Sequence, residues 1–312
     1  MTDTKSVTGS RGTTAAGSRR LRTRILGAQP LGGLFALPYF VFVVAIFAYP
    51  LGFAIYIAFH DYFFTAPGVE PDRPFVGFDN FVHVLTDPRV FDAFRNTLVF
   101  LVINVPLTVV LSLLLAAALN SGIRWVAAYR VAFYVPYLTA SVSLVGVWML
   151  LFSSGGLINA VLGPLAPNPS WLVNSTLAMP MIALYVTWKQ LGFYILLYLA
   201  ALQNVPKELY ESAETDGAGA FARFMNVTVP GVRNATTLVL ILSIITGANL
   251  FTEPYLLTSG GGPDGASVTP VLLIYQQGIQ QQNPDTAAAI GMLLVILVGG
   301  LSLLANRATQ ER

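Results

Sequence analysis

Ionisable and polar side chains inside long apolar segments are the first candidates for chemistry in this sequence. Lys189 lies near the middle of an apolar stretch, and Gln190 follows it directly. A charged side chain at membrane depth must face water or a partner, which makes Lys189 a candidate for a solute path. It could equally be satisfied inside a helical bundle, by backbone carbonyls or by extension toward the membrane surface. The sequence alone leaves both interpretations open.

A second polar group lies in a later apolar stretch. Asn249, Thr252 and Glu253 are spaced i, i+3 and i+4, so a continuous helix would place them on one face. Phe251 and Tyr255 are interspersed with them. Amides and carboxylates suit sugar hydroxyls, and aromatic rings suit the faces of sugar rings, so the pattern favours a carbohydrate path. The same residues would also suit a helix–helix contact held by hydrogen bonds.

The sequence lacks the groups that most catalytic and metal sites require. It has no cysteine, and its two histidines, His60 and His83, have no acidic neighbours at zinc-ligand spacing. It contains no G-x-x-x-x-G-K-[ST], and the glycine run from Gly260 to Gly265 is not followed by Lys-Ser or Lys-Thr. We therefore expect a non-catalytic chain that binds no cofactor and cannot hydrolyse ATP by itself.

Composition places these residues in a membrane protein. Of the 312 residues, 55% are hydrophobic and only 10% are charged, whereas soluble domains carry about 25% charged residues. Six apolar stretches reach the roughly 20 residues that a spanning helix needs. They cover about 34–59, 97–119, 127–152, 176–202, 235–257 and 286–305. The sequence predicts an all-α integral membrane protein, a six-helix transmembrane bundle over residues 31–306.

The distribution of lysine and arginine orients this predicted bundle. With the N-terminus inside, 13 of the 17 basic residues fall on cytoplasmic segments and 3 on outer segments. Cytoplasmic loops carry the excess of basic residues in membrane proteins, so both termini are predicted to be cytoplasmic. Residues 1–30 are rich in Thr, Ser and Gly and predict a disordered tail, and residues 307–312 predict a short C-terminal tail. The pattern fits a multi-pass protein of a bacterial inner membrane.

A polar interruption at residues 204–230, which we call the polar loop, separates the fourth and fifth predicted spans. Asn204 predicts a helix N-cap, and Lys207–Asp216 predicts a short helix of good helix formers. Gly217 predicts the left-handed residue that ends this helix. A second short helix, Ala218–Met225, carries a small apolar face. On the cytoplasmic side, such a pair of helices predicts a docking element for another protein.

The polar loop also carries a motif. Glu211-Ser212-Ala213 is followed by three residues, Gly217, nine residues and then Val227-Thr228-Val229-Pro230. This pattern resembles the EAA motif of binding-protein-dependent ABC importer permeases. That motif is E-A-A, three residues, G, nine residues, I-x-L-P; the departures at Ser212, Val227 and Val229 are conservative. Further segments resemble the carbohydrate-uptake branch of the family, in particular the type of the larger maltose-transporter permease: Leu209–Glu211, Asp216–Ala218, Leu257–Pro263 and Gly77–Phe81.

The resemblance implies a role for the polar loop and a set of partners. In such importers the motif forms a coupling helix that sits in a groove of a cytoplasmic ATPase. The motif positions implied for docking are Glu211, Ala213 and Gly217. Asp216, from the resembling segment Asp216–Ala218, is added to them, as are Phe221 and Phe224 for their apolar character. The implied assembly contains a second permease as heterodimer partner, two ATPase subunits that bind ATP and Mg, and an extracytoplasmic solute-binding protein or lipoprotein.

Two other classes of function remain open at this point. A stand-alone ion-coupled secondary transporter could use Lys189 and Glu253 as its coupling charges, but it would leave the polar loop without a role. An integral-membrane enzyme would need an assembled catalytic set, which the sequence does not offer. The sequence favours an ATP-driven carbohydrate importer subunit and does not name the sugar.

Overall fold

The computed structural model describes residues 30–66, 68–69, 71–122 and 124–310. The predicted N-terminal tail lies outside these residues, apart from Pro30. Within them the chain is helical, and the one extended pairing is an isolated antiparallel bridge between His60 and Phe75. The α-helices, in chain order, are α1 (Pro30–Val43), α2 (Tyr49–Ala58), α3 (Asp79–Thr86), α4 (Pro88–Asn120), α5 (Val126–Leu138), α6 (Ser141–Phe152), α7 (Leu157–Leu162), α8 (Ala178–Leu202), α9 (Lys207–Thr215), α10 (Ala220–Arg223), α11 (Val229–Gly231), α12 (Arg233–Ala248), α13 (Thr252–Leu257), α14 (Pro270–Tyr275) and α15 (Pro284–Gln310).

The all-α, multi-span prediction is confirmed, with a correction to the number of continuous spans. Five helices are long and apolar enough to cross a membrane, and a bent pair of helices adds a sixth if it counts as one span. The five are Leu34–Ala58, Pro88–Asn120, Ser141–Leu165, Ala178–Leu202 and Pro284–Thr309; the bent pair is Ala220–Gly231 with Arg233–Ala248. The last helix runs to Gln310, so the predicted C-terminal tail begins inside it.

The chain forms two compact units, Met1–Tyr56 and Ile57–Arg312. The described part of the first unit is the helical stretch that begins with α1. A π-helical segment, Val44–Ala48, lies between α1 and α2 and ends just before Pro50. Because proline has no N–H and crowds the preceding turn, a widened turn before it keeps the helix going. Between Leu34 and Tyr56 most of the large apolar side chains are exposed, as suits a helix that contacts lipid.

The third predicted span is not one helix. Helix α5 ends at Leu138, and Thr139 and Ala140 are extended before α6 begins at Ser141. Pro136 near the end of α5 removes one intrahelical hydrogen bond. The Thr139 hydroxyl donates to the carbonyl of Val135 at 2.8 Å and closes the helix end. The prediction of a continuous span over 127–152 was therefore wrong in this respect.

The fifth predicted span is also broken, and the cause is a proline. Helix α12 ends at Ala248, and a new helix, α13, begins at Thr252 with Pro254 in its first turn. A continuous helix would need an N–H at position 254 for the carbonyl of Leu250. That carbonyl instead accepts a hydrogen bond from the Thr269 hydroxyl at 2.6 Å. The partner lies nineteen residues further along the chain, so the break depends on a tertiary contact.

Helix α8 is the centre of the second unit. It is the most buried of the five continuous spanning helices, with 61% of its most apolar 18 residues buried. Gly192 allows α5 to cross it closely, because a Cβ at this position would lie 2.1 Å from the carbonyl oxygen of Phe133. The Asn104 amide of α4 donates to the Thr187 hydroxyl of α8 at 2.8 Å in the buried interface. These contacts fix the depth at which α8 holds its polar residues.

The glycine run near the end of the fifth span forms a tight turn. Gly260, Gly261, Gly262 and Gly265 have φ between +72° and +123°, a region that suits glycine. The Asn96 amide of α4 donates to the carbonyls of Gly265 and Val268 at 2.9 and 3.0 Å. The run is therefore a structural turn that is fixed to the second span.

Candidate functional site

The polar loop begins differently from its prediction. Helix α9 starts at Lys207 directly after Pro206, with no side-chain cap. The Asn204 amide donates to the carbonyl of Ala200 at 3.0 Å, so it closes the preceding helix and does not cap α9. Asn204 as the N-cap was therefore wrong. The physical reason is position, because α9 begins at Lys207 and Asn204 lies two residues before its N-cap position, which Pro206 occupies.

The end of α9 agrees with its prediction. Gly217 has φ +78°. Its N–H donates to the carbonyl of Glu214 at 3.0 Å, and the N–H of Ala218 donates to the carbonyl of Ala213 at 2.9 Å. These two hydrogen bonds are the Schellman arrangement that ends many helices. The left-handed Gly217 is confirmed, and it turns the chain sharply after α9.

The second helix of the polar loop begins and ends later than predicted. It starts at Ala220, passes through the π-helical segment Phe224–Thr228 and ends at Gly231. Pro230 lies inside it, because the N–H of Val229 reaches back to the carbonyl of Phe224 and widens the turn before the proline. The break comes instead at Val232, where the chain bends by 70° into α12.

The predicted docking residues fall into an exposed set and an inward-facing set. Glu211, Asp216 and Gly217 are exposed, and the Phe221 ring is 78% exposed. Ala213 is half-buried, and Phe224 packs against the buried cluster formed by the C-terminal parts of α4 and α8 and the N-terminal part of α12. The loop thus presents acidic groups and one large aromatic ring outward.

One contact of the polar loop had no signal in the sequence. The Arg223 guanidinium donates to the Glu214 carboxylate at 2.8 Å and ties α10 to α9 across the turn. The two side chains are 30% and 70% exposed, so the pair contributes at most about 1 kcal/mol. The nine-residue spacing spans two helices and a turn, so no helical periodicity could have predicted it.

The polar residues at mid-span depth come together as an ion pair. The Lys189 ammonium lies 3.4 Å from the Glu253 carboxylate, and their side chains are only 14% and 12% exposed. The ammonium also donates to the Ser141 hydroxyl and lies 6.0 Å from the centre of the Tyr185 ring. Three spans therefore meet at Lys189, which has a charged partner rather than only backbone carbonyls.

The remaining residues of the predicted sugar path do not share one helix face. Asn249 ends α12, and its amide donates to the carbonyl of Ile245 at 2.8 Å. Glu253 belongs to the separate helix α13 beyond the break, so the shared-face prediction was wrong. Phe251 stacks on Tyr255 with ring centres 5.4 Å apart. Gln190 and Thr252 are half-buried.

Two aromatic groups flank the ion pair, and each contains residues that sequence reasoning missed. Tyr275 of α14 lies edge-on to Phe251 with centres 5.3 Å apart. Trp148 of α6 lies edge-on to Tyr185 at 5.3 Å and 5.9 Å from Trp188. No local pattern links these residues, because each group combines separate helices. Aromatic rings beside polar groups can stack on a sugar ring while its hydroxyls are hydrogen-bonded.

A cavity of about 750 Å³ opens beside the C-terminal ends of α6 and α13, which are on the outer side in the predicted orientation. Phe152 and Ser153 line one side, and Leu257 and Thr258 line another. Leu257 lies one helical turn beyond Glu253, so the cavity approaches the ion pair along α13. In the part of the chain that the structure describes, no three His, Asp or Glu side chains gather as metal ligands.

Comparison with known proteins identifies the family. The family described as "Binding-protein-dependent transport system inner membrane component" matches residues 85–309. The arabinooligosaccharides transport system permease protein of Bacillus subtilis is 33% identical over 275 residues, which cover 87% of this chain and 86% of that protein. The sn-glycerol-3-phosphate transport system permease protein of Yersinia pestis is 30% identical over 284 residues, 89% of this chain and 94% of that protein.

The same fold occurs in a solved transporter. A chain in the crystal structure of a bacterial alginate ABC transporter, in complex with an alginate pentasaccharide-bound periplasmic protein, superimposes with a TM-score of 0.77. The two chains are 22% identical, and the match covers 93% of this chain and 97% of that chain. With the family match over residues 85–309 and two permease relatives at 30% identity or more, this chain belongs to the family of inner membrane components of binding-protein-dependent transport systems.

Proposed function

We propose that this chain is a permease subunit of an ATP-driven carbohydrate importer. It forms half of the solute path together with a second permease. Two cytoplasmic ATPase subunits bind ATP and Mg and drive it, and an extracytoplasmic solute-binding protein delivers the sugar. The chain itself is non-catalytic. Six spans with both termini in the cytoplasm put the polar loop on the ATPase side, and the excess of basic residues on that side supports this orientation.

The observation that carries the proposal is the geometry of the polar loop. Helix α9 ends in a Schellman turn at Gly217 and leaves Glu211 and Asp216 exposed. The aromatic ring of Phe221, which follows four residues after Gly217, is 78% exposed. Acidic groups beside one exposed ring suit a basic groove with an apolar floor. We infer that the ATPase offers this groove and that α9 is the coupling helix, with Ala213 and Phe224 supporting it from beneath.

A carbohydrate is the substrate class that the membrane-depth residues support. Aromatic pairs at Phe251–Tyr255 and Trp148–Tyr185 flank the polar centre. The outer cavity of about 750 Å³ falls in the range of roughly 300–1,000 Å³ that small-molecule sites occupy. The name of one relative supports the same class, since it is a permease of an arabinooligosaccharides transport system.

A binding experiment tests the coupling role. The chain is expressed with its genomic neighbours and purified through a tag on the permease, and the co-eluting ATPase is quantified. We expect the ATPase to be retained by the parent chain and lost when Glu211→Ala is combined with Gly217→Pro. Gly219→Ala in the same loop is the control, because Gly219 has φ −65° and open space around its Cα. Full retention in the double variant would refute the docking role of α9.

An ion-coupled secondary transporter is the second candidate, favoured by one observation. Lys189 and Glu253 meet at mid-span depth, as coupling charges would. Each already neutralises the other, however, so neither is free to bind a coupling ion. Uptake into liposomes decides between the two. Sugar uptake that follows a proton or sodium gradient without ATP would support the secondary transporter and contradict our proposal.

A further inference from the structure

Lys189 is the one charged side chain near the middle of a described span, and its partner Glu253 lies in α13 just beyond the break that follows α12. Lys189 is the twelfth of the 25 residues of α8, which places it near the midpoint of that span. Other charged residues of the described spanning helices lie near helix ends, such as Arg95 in α4 and Arg307 in α15. Burial of a charge at this depth is costly. A feature retained at such cost calls for an explanation beyond packing.

The pair lies where two spans are interrupted. Ser141 is the first residue of α6 after one break, and Glu253 is the second residue of α13 after the other. Non-helical backbone at membrane depth is tolerated where it is buried in protein or lines a water-filled cavity. Broken helices near the midplane form the solute sites of many transporters. The outer cavity is lined by Leu257 at the end of α13 and by Met149 and Phe152 at the end of α6. The two helices that follow the breaks therefore lead from the ion pair toward this cavity.

The ion pair determines the net charge at this point of the path. A single ammonium group in a partly dehydrated path would attract anions and concentrate them several-fold. With the Glu253 carboxylate 3.4 Å away, the net charge at the site is zero. An uncharged sugar loses only hydroxyl hydration when it passes such a site. An anionic sugar would lose the hydration of its charge and meet no unpaired cation, which is much more costly.

We propose that the Lys189–Glu253 pair is a charge-cancelling selectivity element of the solute path, which admits uncharged glycans and does not attract anions. The proposal rests on the proposed function, because it requires the path to pass this pair. It assigns to this chain a neutral carbohydrate rather than a phosphate ester or a uronic acid. Ser141 positions the ammonium beside the carboxylate, so that the two charges remain paired.

Tryptophan fluorescence offers a direct test with simple probes. Trp188 precedes Lys189 and lies within the aromatic group at Tyr185, with ring centres 6.4 Å apart. The complete complex in lipid nanodiscs is titrated with iodide, an anionic quencher, and with acrylamide, a neutral one. The contribution of Trp188 is the difference from the same complex with Trp188→Phe. The ratio of the iodide to the acrylamide quenching constant then reports the local charge.

Three variants define the expected result. In Glu253→Gln the ammonium is unpaired, so the iodide-to-acrylamide ratio should rise about threefold or more. The double variant Lys189→Gln with Glu253→Gln is neutral again and should return to the parent ratio. Asp87→Asn is the matched control, since it breaks another ion pair, with Arg89 at 2.8 Å, on the exposed end of α4. It should leave the ratio unchanged.

The outcomes separate this proposal from the proposed function. A complex that contains the ATPase but shows no rise in Glu253→Gln would overturn the charge-cancelling role and leave the importer assignment standing. A rise of the same size in the double variant would also overturn it, because the effect would not come from the ammonium. A permease that purifies without any ATPase would contradict the importer itself, whatever the quenching ratio. Thermal unfolding of each variant shows whether the complex remains folded.

Discussion

Replacement of Gly217 by alanine tests the coupling helix at the point where the backbone is most constrained. Gly217 has φ +78°, and no atom lies within 4 Å of a Cβ built on it. The new methyl group would therefore meet no neighbour, and the whole effect comes from the backbone. A non-glycine residue in the left-handed region costs about 1–2 kcal/mol.

The cost converts into a measurable change in ATPase affinity. If the exposed loop of Gly217→Ala relaxes out of the Schellman turn in the free permease but must re-form it when α9 docks, docking of the variant costs about 1–2 kcal/mol more than docking of the parent. A tenfold change in affinity corresponds to about 1.4 kcal/mol, so the dissociation constant should rise roughly 5- to 30-fold. Asparagine tolerates the left-handed region better than alanine. We therefore expect Gly217→Asn to fall between the parent and Gly217→Ala.

Titration of the purified permease heterodimer with labelled ATPase measures this constant. Gly219→Ala is the matched control, two residues away, since Gly219 has φ −65° and equally open surroundings. It should bind as the parent does, because alanine adopts this φ without strain. Parent-like binding by Gly217→Ala would refute the reasoning, as would equal losses at both glycines.

Three further predictions test the packing around the two sites. Gly192→Ala should lower the melting temperature of the purified permease by several degrees, because its Cβ would lie 2.1 Å from a backbone oxygen of α5, whereas Gly299→Ala, with open space around it, should leave it unchanged. Phe221→Ala should weaken ATPase binding without lowering the melting temperature, since that ring is 78% exposed. Phe224→Ala should instead lower the melting temperature of the isolated permease, because its ring packs against the buried cluster. Asn104→Ala should destabilise by about 0.5–1.5 kcal/mol in denaturant unfolding, through loss of its 2.8 Å hydrogen bond to a buried hydroxyl.

Local chemistry explains why much of the polar loop could be predicted. The end of α9 depends on a glycine, on two backbone hydrogen bonds and on residues within five positions of each other. Such a turn follows from the identities of neighbouring residues. The predicted start of α9 was wrong, although it too was based on neighbouring residues. The Asn204 side chain could cap α9 or close the end of α8, and in the structure its amide donates to the carbonyl of Ala200 in α8.

The breaks in the third and fifth spans could not be placed by hydropathy. The sequence remains apolar across both breaks, so hydropathy averaged over about 20 residues predicts one continuous span in each case. Pro136 and Pro254 lie close to the two breaks, but a proline by itself predicts a kink as readily as a complete interruption. What decided the second break is the Thr269 hydroxyl, which satisfies the carbonyl of Leu250 from a distant segment. Without that partner a broken helix in an apolar setting would leave a polar group unsatisfied.

The sequence by itself determined the class of this protein. Composition required a membrane, the basic residues predicted the orientation, and the spacing from Glu211 to Gly217 and Pro230 indicated the coupling loop. Each of these depends on totals or on neighbours along the chain. Only the tertiary structure decided that Lys189 pairs with Glu253, which lies 64 residues away across a helix break. The physical reason is that a buried charge is stable only beside its opposite, and the packing of separate helices decides which opposite charge that is.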